Sequence, residues 1–227
     1  MRVLLLFPFL AAVALAQPAD PDPLATVADA LGGRDRVDAI DTIRRRSRTR
    51  TTLGERTLDV RATVEVRLPD AARWTVRAPG PARITWVDGD EGGVVGGGEA
   101  RPLPEASAAA AGAALWFDPL VLAARRDEVT AESLGPALLR VDVPGRRDPL
   151  IVGLNAAGRP ARITTFRRHE GRRDYVEVVL RDYREVGGVF VPHLVRQAVG
   201  GVVTGEETVR EVRLGVDLAG APFAGDG

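Results

Sequence analysis

The chain contains no cysteine among its 227 residues. This absence excludes disulfide bonds, thiol nucleophiles and zinc sites built on thiolates. It also excludes the lipid-modified cysteine of a bacterial lipoprotein, because the residue expected to follow a cleaved leader is Gln17. Lysine is missing too, so all 31 basic side chains are arginines, and 31 acidic side chains balance them. The zero net charge argues against nucleic acid as a partner.

Catalytic motifs are also absent. The two histidines, His169 and His193, have no motif around them, and we interpret His193 as an ordinary side chain beside a strand. No Gly-x-Ser-x-Gly elbow, His-Glu-x-x-His pair or phosphate-cradling glycine loop occurs. We therefore expect a protein that is not an enzyme, with no catalytic residue, no resident metal and no cofactor.

Acidic residues gather in one glycine-containing stretch. Asp88, Asp90 and Glu91 could supply oxygen ligands for calcium, which is a hard cation. The stretch lacks the later bidentate glutamate of a complete calcium loop, and Asp-Gly is a common hairpin signal. A hairpin turn is therefore favoured over a calcium loop.

The N-terminus has the features of a secretory signal peptide. Met1-Arg2 precedes an apolar stretch at residues 3–13, and Ala14-Leu15-Ala16 supplies the small residues that a signal peptidase reads. The apolar stretch is too short to span roughly 30 Å of hydrocarbon. We expect residues 1–16 to be removed by cleavage before Gln17. The product should be periplasmic or secreted, with no transmembrane segment.

The remaining residues, 17–227, are enough for one β domain with its own core. They open with helical signals, since Asp22 is a good N-cap, Pro23 suits the first helical position and Gly32-Gly33 ends the pattern. From Ser47 the hydrophobic period changes to two, which predicts strands. We predict a mainly β (α+β) fold with about eleven antiparallel strands, and helices at its start and middle.

The clearest strand covers residues 57–68, where apolar side chains alternate strictly with polar or charged ones. Such alternation means that one face of the strand is covered and the other meets water. Continuing the pattern along the chain predicts one shared buried face, formed by Leu58, Val60, Val64, Val66, Trp74, Val76, Ile84 and Trp86.

An alanine-rich run at residues 105–115 predicts a helix inside the β pattern. Pro119 should interrupt it and start a second short helix that contains Leu120. Together with Phe117, these apolar residues exceed what a connection between two strands needs. Two interpretations stay open: the segment is plain core between sheet and helix, or it is a removable lid over a lipid-binding concavity.

A basic run alternates in part with small polar residues and comprises Arg44, Arg45, Arg46, Arg48 and Arg50. It predicts a strand with an arginine-covered outer face, which protects an edge from aggregation. The alternative is a docking face for anionic lipid head groups or for an acidic partner.

Several short phrases follow one another in a characteristic order. The early ones are Leu31-Gly-Gly-Arg-Asp-Arg-Val37 and Val64-Glu-Val-Arg-Leu-Pro-Asp70, the latter leading to Arg73-Trp74. The later ones are Trp116-Phe-Asp-Pro-Leu120, Asp182-Tyr-Arg-Glu-Val-Gly-Gly-Val-Phe-Val-Pro-His193 and Thr208-Val-Arg-Glu-Val212. This order resembles the periplasmic lipoprotein-carrier (LolA/LolB-like) superfamily, which includes sensor domains of the RseB type.

The resemblance implies an open, curved antiparallel half-barrel whose concave apolar face is covered by helices. It also implies a non-enzymatic envelope protein that binds a lipid or lipoprotein acyl chain, as in outer membrane biogenesis. The predicted ligand-binding residues on that face are Val64, Val66, Trp74, Val76, Ile84, Trp86, Phe117 and Leu120. The alternative is an envelope sensor or protein-interaction module with a filled core and an envelope protein as its partner.

Overall fold

The computed structural model describes residues 22–53, 56–78, 80–169 and 171–218. The predicted signal peptide, residues 1–16, and its cleavage site before Gln17 lie outside these residues. That residues 17–227 form one domain stays a prediction. None of the helices described is long and apolar enough to cross a membrane.

The described strands form one open, curved antiparallel sheet, which confirms the mainly β half-barrel fold. They are β1 (Thr42–Leu53), β2 (Arg56–Arg67), β3 (Ala71–Arg77), β4 (Arg83–Asp88), β5 (Glu91–Gly96), β6 (Glu99–Pro102), β7 (Thr130–Gly135), β8 (Leu138–Asp142), β9 (Leu150–Leu154), β10 (Pro160–His169), β11 (Arg172–Val186), β12 (Val189–Val199) and β13 (Val202–Leu214). The described chain thus has thirteen strands where the pattern predicted about eleven. The four-residue β6 carries no apolar alternation, so its sequence gives no strand signal.

The order across the sheet is β6-β5-β4-β3-β2-β1-β13-β12-β11-β10-β9-β8-β7. The chain therefore runs from the middle of the sheet to one edge, and the return path begins at the opposite edge. Everything between β6 and β7 must cross the whole sheet. This explains why residues 105–122 are more apolar than a connection between adjacent strands would require.

The helices are α1 (Pro23–Leu31), α2 (Arg34–Asp38), α3 (Glu105–Ala114) and α4 (Pro119–Ala124), with 3-10 turns at Leu115–Phe117 and Arg126–Glu128. The predicted N-cap of α1 is confirmed, since the Asp22 carboxylate accepts a hydrogen bond from the Leu24 N–H at 3.0 Å. Asp118 caps α4 in the same way, accepting from the Leu120 N–H at 2.9 Å. Pro119 therefore restarts a helix, as predicted.

One face of the sheet, here called the inner face, carries the hydrophobic core. Val64 pairs with Trp74 in the β2–β3 register, and Val66 pairs with Ala72, so these side chains share that face. Val66 and Val60 are buried, whereas Val64, Trp74 and Val76 are half-buried. Leu58 is 37% exposed near the end of β2, so the prediction of its burial is wrong.

The predicted shared face is wrong for Ile84 and Trp86. The β3–β4 register pairs Arg73 with Trp86 and Thr75 with Ile84. Both apolar residues therefore lie on the outer face, and Val87 takes the inner position at 0% exposure. Because side chains alternate with a period of two, a one-residue difference in phase across the loop between β3 and β4 exchanges the faces.

Glycine in the adjacent strand explains how a tryptophan is accommodated on the outer face. The indole of Trp86 lies over Gly93 of β5, where a Cβ atom would come within 2.6 Å of the ring. The missing side chain leaves room for the ring, and the ring in turn buries the backbone of Gly93.

Two helices fill the centre of the inner face. Leu24, Val27 and Leu31 of α1 pack with Leu120, Val121 and Leu122 of α4, and all six are at most 1% exposed. Burial of this kind contributes about 1.5–3 kcal/mol per large side chain. The two helices are therefore part of the principal core.

Two glycine phrases singled out in the sequence lie against each other. Gly32 ends α1 with φ 139°, and a Cβ atom there would lie 2.3 Å from the carbonyl oxygen of Gly188. Gly188 belongs to the turn between β11 and β12, and the side chain of Arg36 packs on it. Only glycine allows both this backbone angle and so close an approach.

Candidate functional site

The segment considered as a lid has two parts that differ in burial. In α3 the one fully buried residue is Ala108. From the 3-10 turn onwards, Leu115, Trp116 and Leu120 are 4%, 6% and 1% exposed. This burial favours the core interpretation for α4, whereas α3 has the limited burial of a removable cover.

A buried ion pair joins α4 to the inner face. Arg45 pairs with Val64 on one side and Val212 on the other, so its side chain points inward. Its guanidinium contacts the carboxylate of Asp118, and the two side chains are 12% and 8% exposed. The prediction that the whole arginine run covers the outer face is thus wrong for Arg45. Burial lowers the pKa of Arg45 below its ordinary value.

A cavity of about 310 Å³ remains between α3 and the sheet. It lies where the C-terminal half of α3 meets β10, β11, β12 and the loop before β9. Its lining combines apolar side chains with polar and charged ones, three of them arginines: Ala110, Ala113, Ala114, Phe117, Arg146, Arg147, Asp148, Thr165, Phe166, Arg167, Val176 and Gln197. Its volume is at the lower end of the roughly 300–1,000 Å³ typical of small-molecule sites.

Arg146 is the half-buried cation of this cavity. Its Nη1 donates to the Ala113 carbonyl oxygen at 3.1 Å, and its Nη2 lies 3.4 Å from the Thr165 hydroxyl. Its guanidinium also lies 5.7 Å from the ring centre of Phe117. The Nε atom is buried and has no acceptor. Desolvation lowers the pKa of Arg146, and the nearby charge of Asp148 opposes that change.

Of the eight predicted ligand-binding residues, the cavity includes only Phe117. Val66 and Leu120 are closed into the core at 1% exposure, and Ile84 and Trp86 lie on the outer face. Val64, Trp74 and Val76 lie on the inner face but away from the cavity. The binding role of these residues stays a prediction.

Neither Arg146 nor the alanine side chains of α3 that line the cavity were predicted from the sequence. Arg146 follows Gly145 in a turn between strands, where no periodicity marks a residue as inward-facing. A signal was present in α3, because Ala110, Ala113 and Ala114 recur at helical spacing on one side. Small side chains facing a sheet leave space that larger ones would fill.

The outer face of β1, β2 and β3 is strongly basic, as the arginine run suggested. Arg48 pairs with Arg61, and Arg61 pairs with Arg77, so three arginines lie directly opposite one another. They border a cleft of about 1010 Å³. Arg48 approaches Asp59 at 3.4 Å, whereas Arg61 and Arg77 form no ion pair with the described residues. Like charges directly opposite each other destabilise a sheet.

The acidic turn and the buried histidine have ordinary structural surroundings. Asp88 ends β4 and accepts from Arg67 at 2.8 Å, and the turn to β5 contains Gly89 with φ 59°. No group of three or more metal-ligating side chains occurs among residues the structure describes. His193 is 6% exposed, with its Nδ1 3.0 Å from the Val191 carbonyl oxygen.

Comparison with known proteins identifies the fold. A LolA superfamily protein from Nitrosomonas europaea superposes with a TM-score of 0.56 at 13% identity, over 88% of this chain and 98% of that one. A domain described as an outer membrane lipoprotein-sorting protein, from Vibrio parahaemolyticus, gives 0.55 at 10% identity, over 88% and 95%. A DUF1329 family protein from Desulfovibrio piger gives 0.57 at 11% identity, over 89% and 98%.

No family model matches the sequence, and no curated protein matches it. At 10–13% identity, the structural likeness establishes the fold alone. The LolA-like resemblance is therefore confirmed at the level of fold. The roles that their descriptions name are those of the neighbouring proteins.

Proposed function

We propose that this protein is a non-enzymatic binding protein of the cell envelope that holds a lipid or lipoprotein acyl chain. The observation that carries the proposal is the cavity between α3 and the inner face, in which half of the lining side chains are apolar. The LolA-like fold and the expected signal peptide support the location. The arrangement offers apolar surface and a cation, and these are the features that a lipid tail and its head group need.

The weak docking of α3 supports its role as a cover. Ala108 packs against Gly92, where a Cβ atom would lie 3.1 Å from it. Near the other end, the Ala113 carbonyl accepts from Arg146. Gly112 lies within the helix and costs it about 1 kcal/mol relative to alanine. A ligand can displace such a helix if it binds the open form more tightly than the closed form.

The energetics favour a modest acyl site. Each buried methylene contributes about 0.8 kcal/mol, so six of them contribute about 5 kcal/mol. That amount exceeds the cost of lifting a helix that buries one alanine. Displacing α4 instead would expose Leu120, Val121 and Leu122 and break the contact of Arg45 with Asp118. We therefore place the acyl chain under α3 and leave α4 in position.

A second function rests on that same packing of α4. The centre of the inner face is filled by α1 and α4, as expected for an envelope sensor or protein-interaction module whose core holds no ligand. In that case the small cavity is a packing defect. The two functions differ in whether the protein binds an amphiphile stoichiometrically.

A cavity-filling substitution tests the proposal. Ala113→Leu adds bulk at the cavity without lowering helix propensity by more than a few tenths of a kcal/mol. Ala109→Leu, on the same helix but exposed and outside the cavity, is the matched control. We expect A113L to weaken binding of a fluorescent fatty acid at least about tenfold and A109L to leave it unchanged. Absence of binding in the wild-type protein would overturn the proposal in favour of the interaction module.

A further inference from the structure

The charge of Arg146 has no ion-pair partner in the part of the chain that the structure describes. No carboxylate of the described residues lies within ion-pair distance of it, and its neighbour Asp148 pairs instead with Arg173 at 2.7 Å. Buried and half-buried charges in folded proteins are normally paired, because desolvating an unpaired charge is costly. Within the described part of the chain, only the nearby charge of Asp148 and the hydrogen bond to the Ala113 carbonyl offset this cost.

The donors of Arg146 are only partly used. A guanidinium has five N–H groups arranged as a fork that matches a carboxylate or phosphate. The contact of Nη2 with the Thr165 hydroxyl at 3.4 Å is longer than a normal hydrogen bond. Nε is buried without an acceptor. The side chain therefore retains capacity for an anion.

The cavity also restricts the kind of molecule that can carry the anion. Apolar surface from Ala113, Phe117 and Val176 adjoins Arg146, while Arg147 and Arg167 add positive charge to the lining. A volume of about 310 Å³ suits one acyl chain and is small for the two or three chains of a phospholipid or lipoprotein.

Resting on the proposed function, we propose that the ligand is a single-chain amphiphile with an anionic head group, whose carboxylate or phosphate pairs with Arg146 while its tail lies under α3. The head group supplies the missing counter-ion, and the tail fills the apolar cavity. Arg146 thereby acts as the specificity-determining residue of the site. The same anion would compete with the Ala113 carbonyl for the guanidinium, which couples head-group binding to release of α3.

The test compares dodecanoate with dodecanol, which share a chain and differ in charge. Binding is measured by isothermal titration to the purified protein, to Arg146→Gln and to the matched control Arg181→Gln, whose parent residue is exposed on β11 and outside the cavity. We expect the wild-type protein and R181Q to prefer dodecanoate at least about tenfold. We expect R146Q to lose this preference while still binding dodecanol.

Each other outcome has a distinct meaning. Equal binding of the two probes by the wild type overturns the inference and leaves the proposed function standing. No binding of either probe overturns both. A preference that persists in R146Q assigns the anion to another cation and overturns the role of Arg146. If acetate or inorganic phosphate binds as tightly as dodecanoate, the site recognises a free anion, and the proposal of an amphiphilic ligand is overturned.

A folding control keeps the test decisive. R146Q also removes the hydrogen bond to Ala113, so its thermal unfolding is compared with that of the wild type. Should it fail to fold, Arg146→Lys retains the charge but loses the fork. We expect R146K to keep a weakened preference for dodecanoate. An undiminished preference in R146K would overturn bidentate recognition by the guanidinium.

Discussion

The buried pair of Arg45 and Asp118 gives a sharp test of how α4 is held on the sheet. Replacing Asp118 by serine removes the carboxylate but keeps a hydroxyl that can cap α4. The capping of α4 therefore changes little, so the loss of stability measures the effect of removing the negative charge. Arg45, with its side chain 12% exposed, is left without its partner. Leaving a buried charge uncompensated costs about 3–5 kcal/mol, a large share of a typical unfolding free energy of about 5–15 kcal/mol.

The double variant Arg45→Met/Asp118→Ser separates the pair from its surroundings. Buried ion pairs replaced by apolar side chains of similar size often cost nothing. We therefore expect the double variant to recover most of the stability lost by Asp118→Ser, to within about 2 kcal/mol of the wild type. The assay is equilibrium urea unfolding, followed by tryptophan fluorescence and far-ultraviolet circular dichroism.

The control for this cycle is Glu211→Ser, which removes the carboxylate of an exposed pair with Arg46 on the same strand as Arg45. Solvent screens that pair, so its loss should change stability little. Two results would refute the reasoning. One is a cost for Asp118→Ser no larger than that of the control. The other is a double variant whose loss of stability equals the sum of the losses for Arg45→Met alone and Asp118→Ser alone, since the two residues would then act independently.

Three further outcomes follow from the packing and charge of the fold. Gly32→Ala should destabilise by more than about 1 kcal/mol in chemical denaturation, and Gly33→Ala should cost less, because only Gly32 faces a backbone atom at 2.3 Å. Arg61→Glu should raise the unfolding free energy by about 0.2–1 kcal/mol at low salt, because it relieves the repulsion of Arg61 with Arg48 and Arg77. A gain of the same size in high salt would contradict this electrostatic cause. The hydrogen bond from the Arg126 guanidinium lowers the pKa of Asp38 below its ordinary value, so the stabilisation from this carboxylate is complete above about pH 4 and is lost as pH falls through the lowered pKa. Asp38→Asn should therefore make the melting temperature depend less on pH over that range. A dependence of melting temperature on pH that is the same in the variant and the wild type would contradict this.

Local signals in the sequence predicted the parts of the fold that local physics decides. Asp22 before Pro23 marked the start of α1, and strict alternation placed Val66 on the inner face. Trp86 was misplaced because the phase of a strand depends on the loop before it, which the alternation within a strand does not report. The inward position of Arg45 was missed because the charged side chains on both sides of it suggested solvent.

The candidate site depends on contacts that no local pattern contains. Arg146 meets Ala113 only because the chain crosses the sheet from β6 to β7 and brings the C-terminal half of α3 opposite β10, β11 and β12. The two residues are far apart in sequence, and neither has a motif around it. The sequence predicted that this segment is unusually apolar. It did not predict that a cavity remains between α3 and the sheet beside Arg146.

Native mass spectrometry of the protein tests our proposal that it carries an acyl chain. The protein is purified without detergent from the cells that produce it, so that a bound lipid is retained. We expect a species heavier than the polypeptide by the mass of one amphiphile, which dissociates on activation as an anion. The contradicting result is the bare polypeptide mass in every charge state, together with no uptake of added dodecanoate.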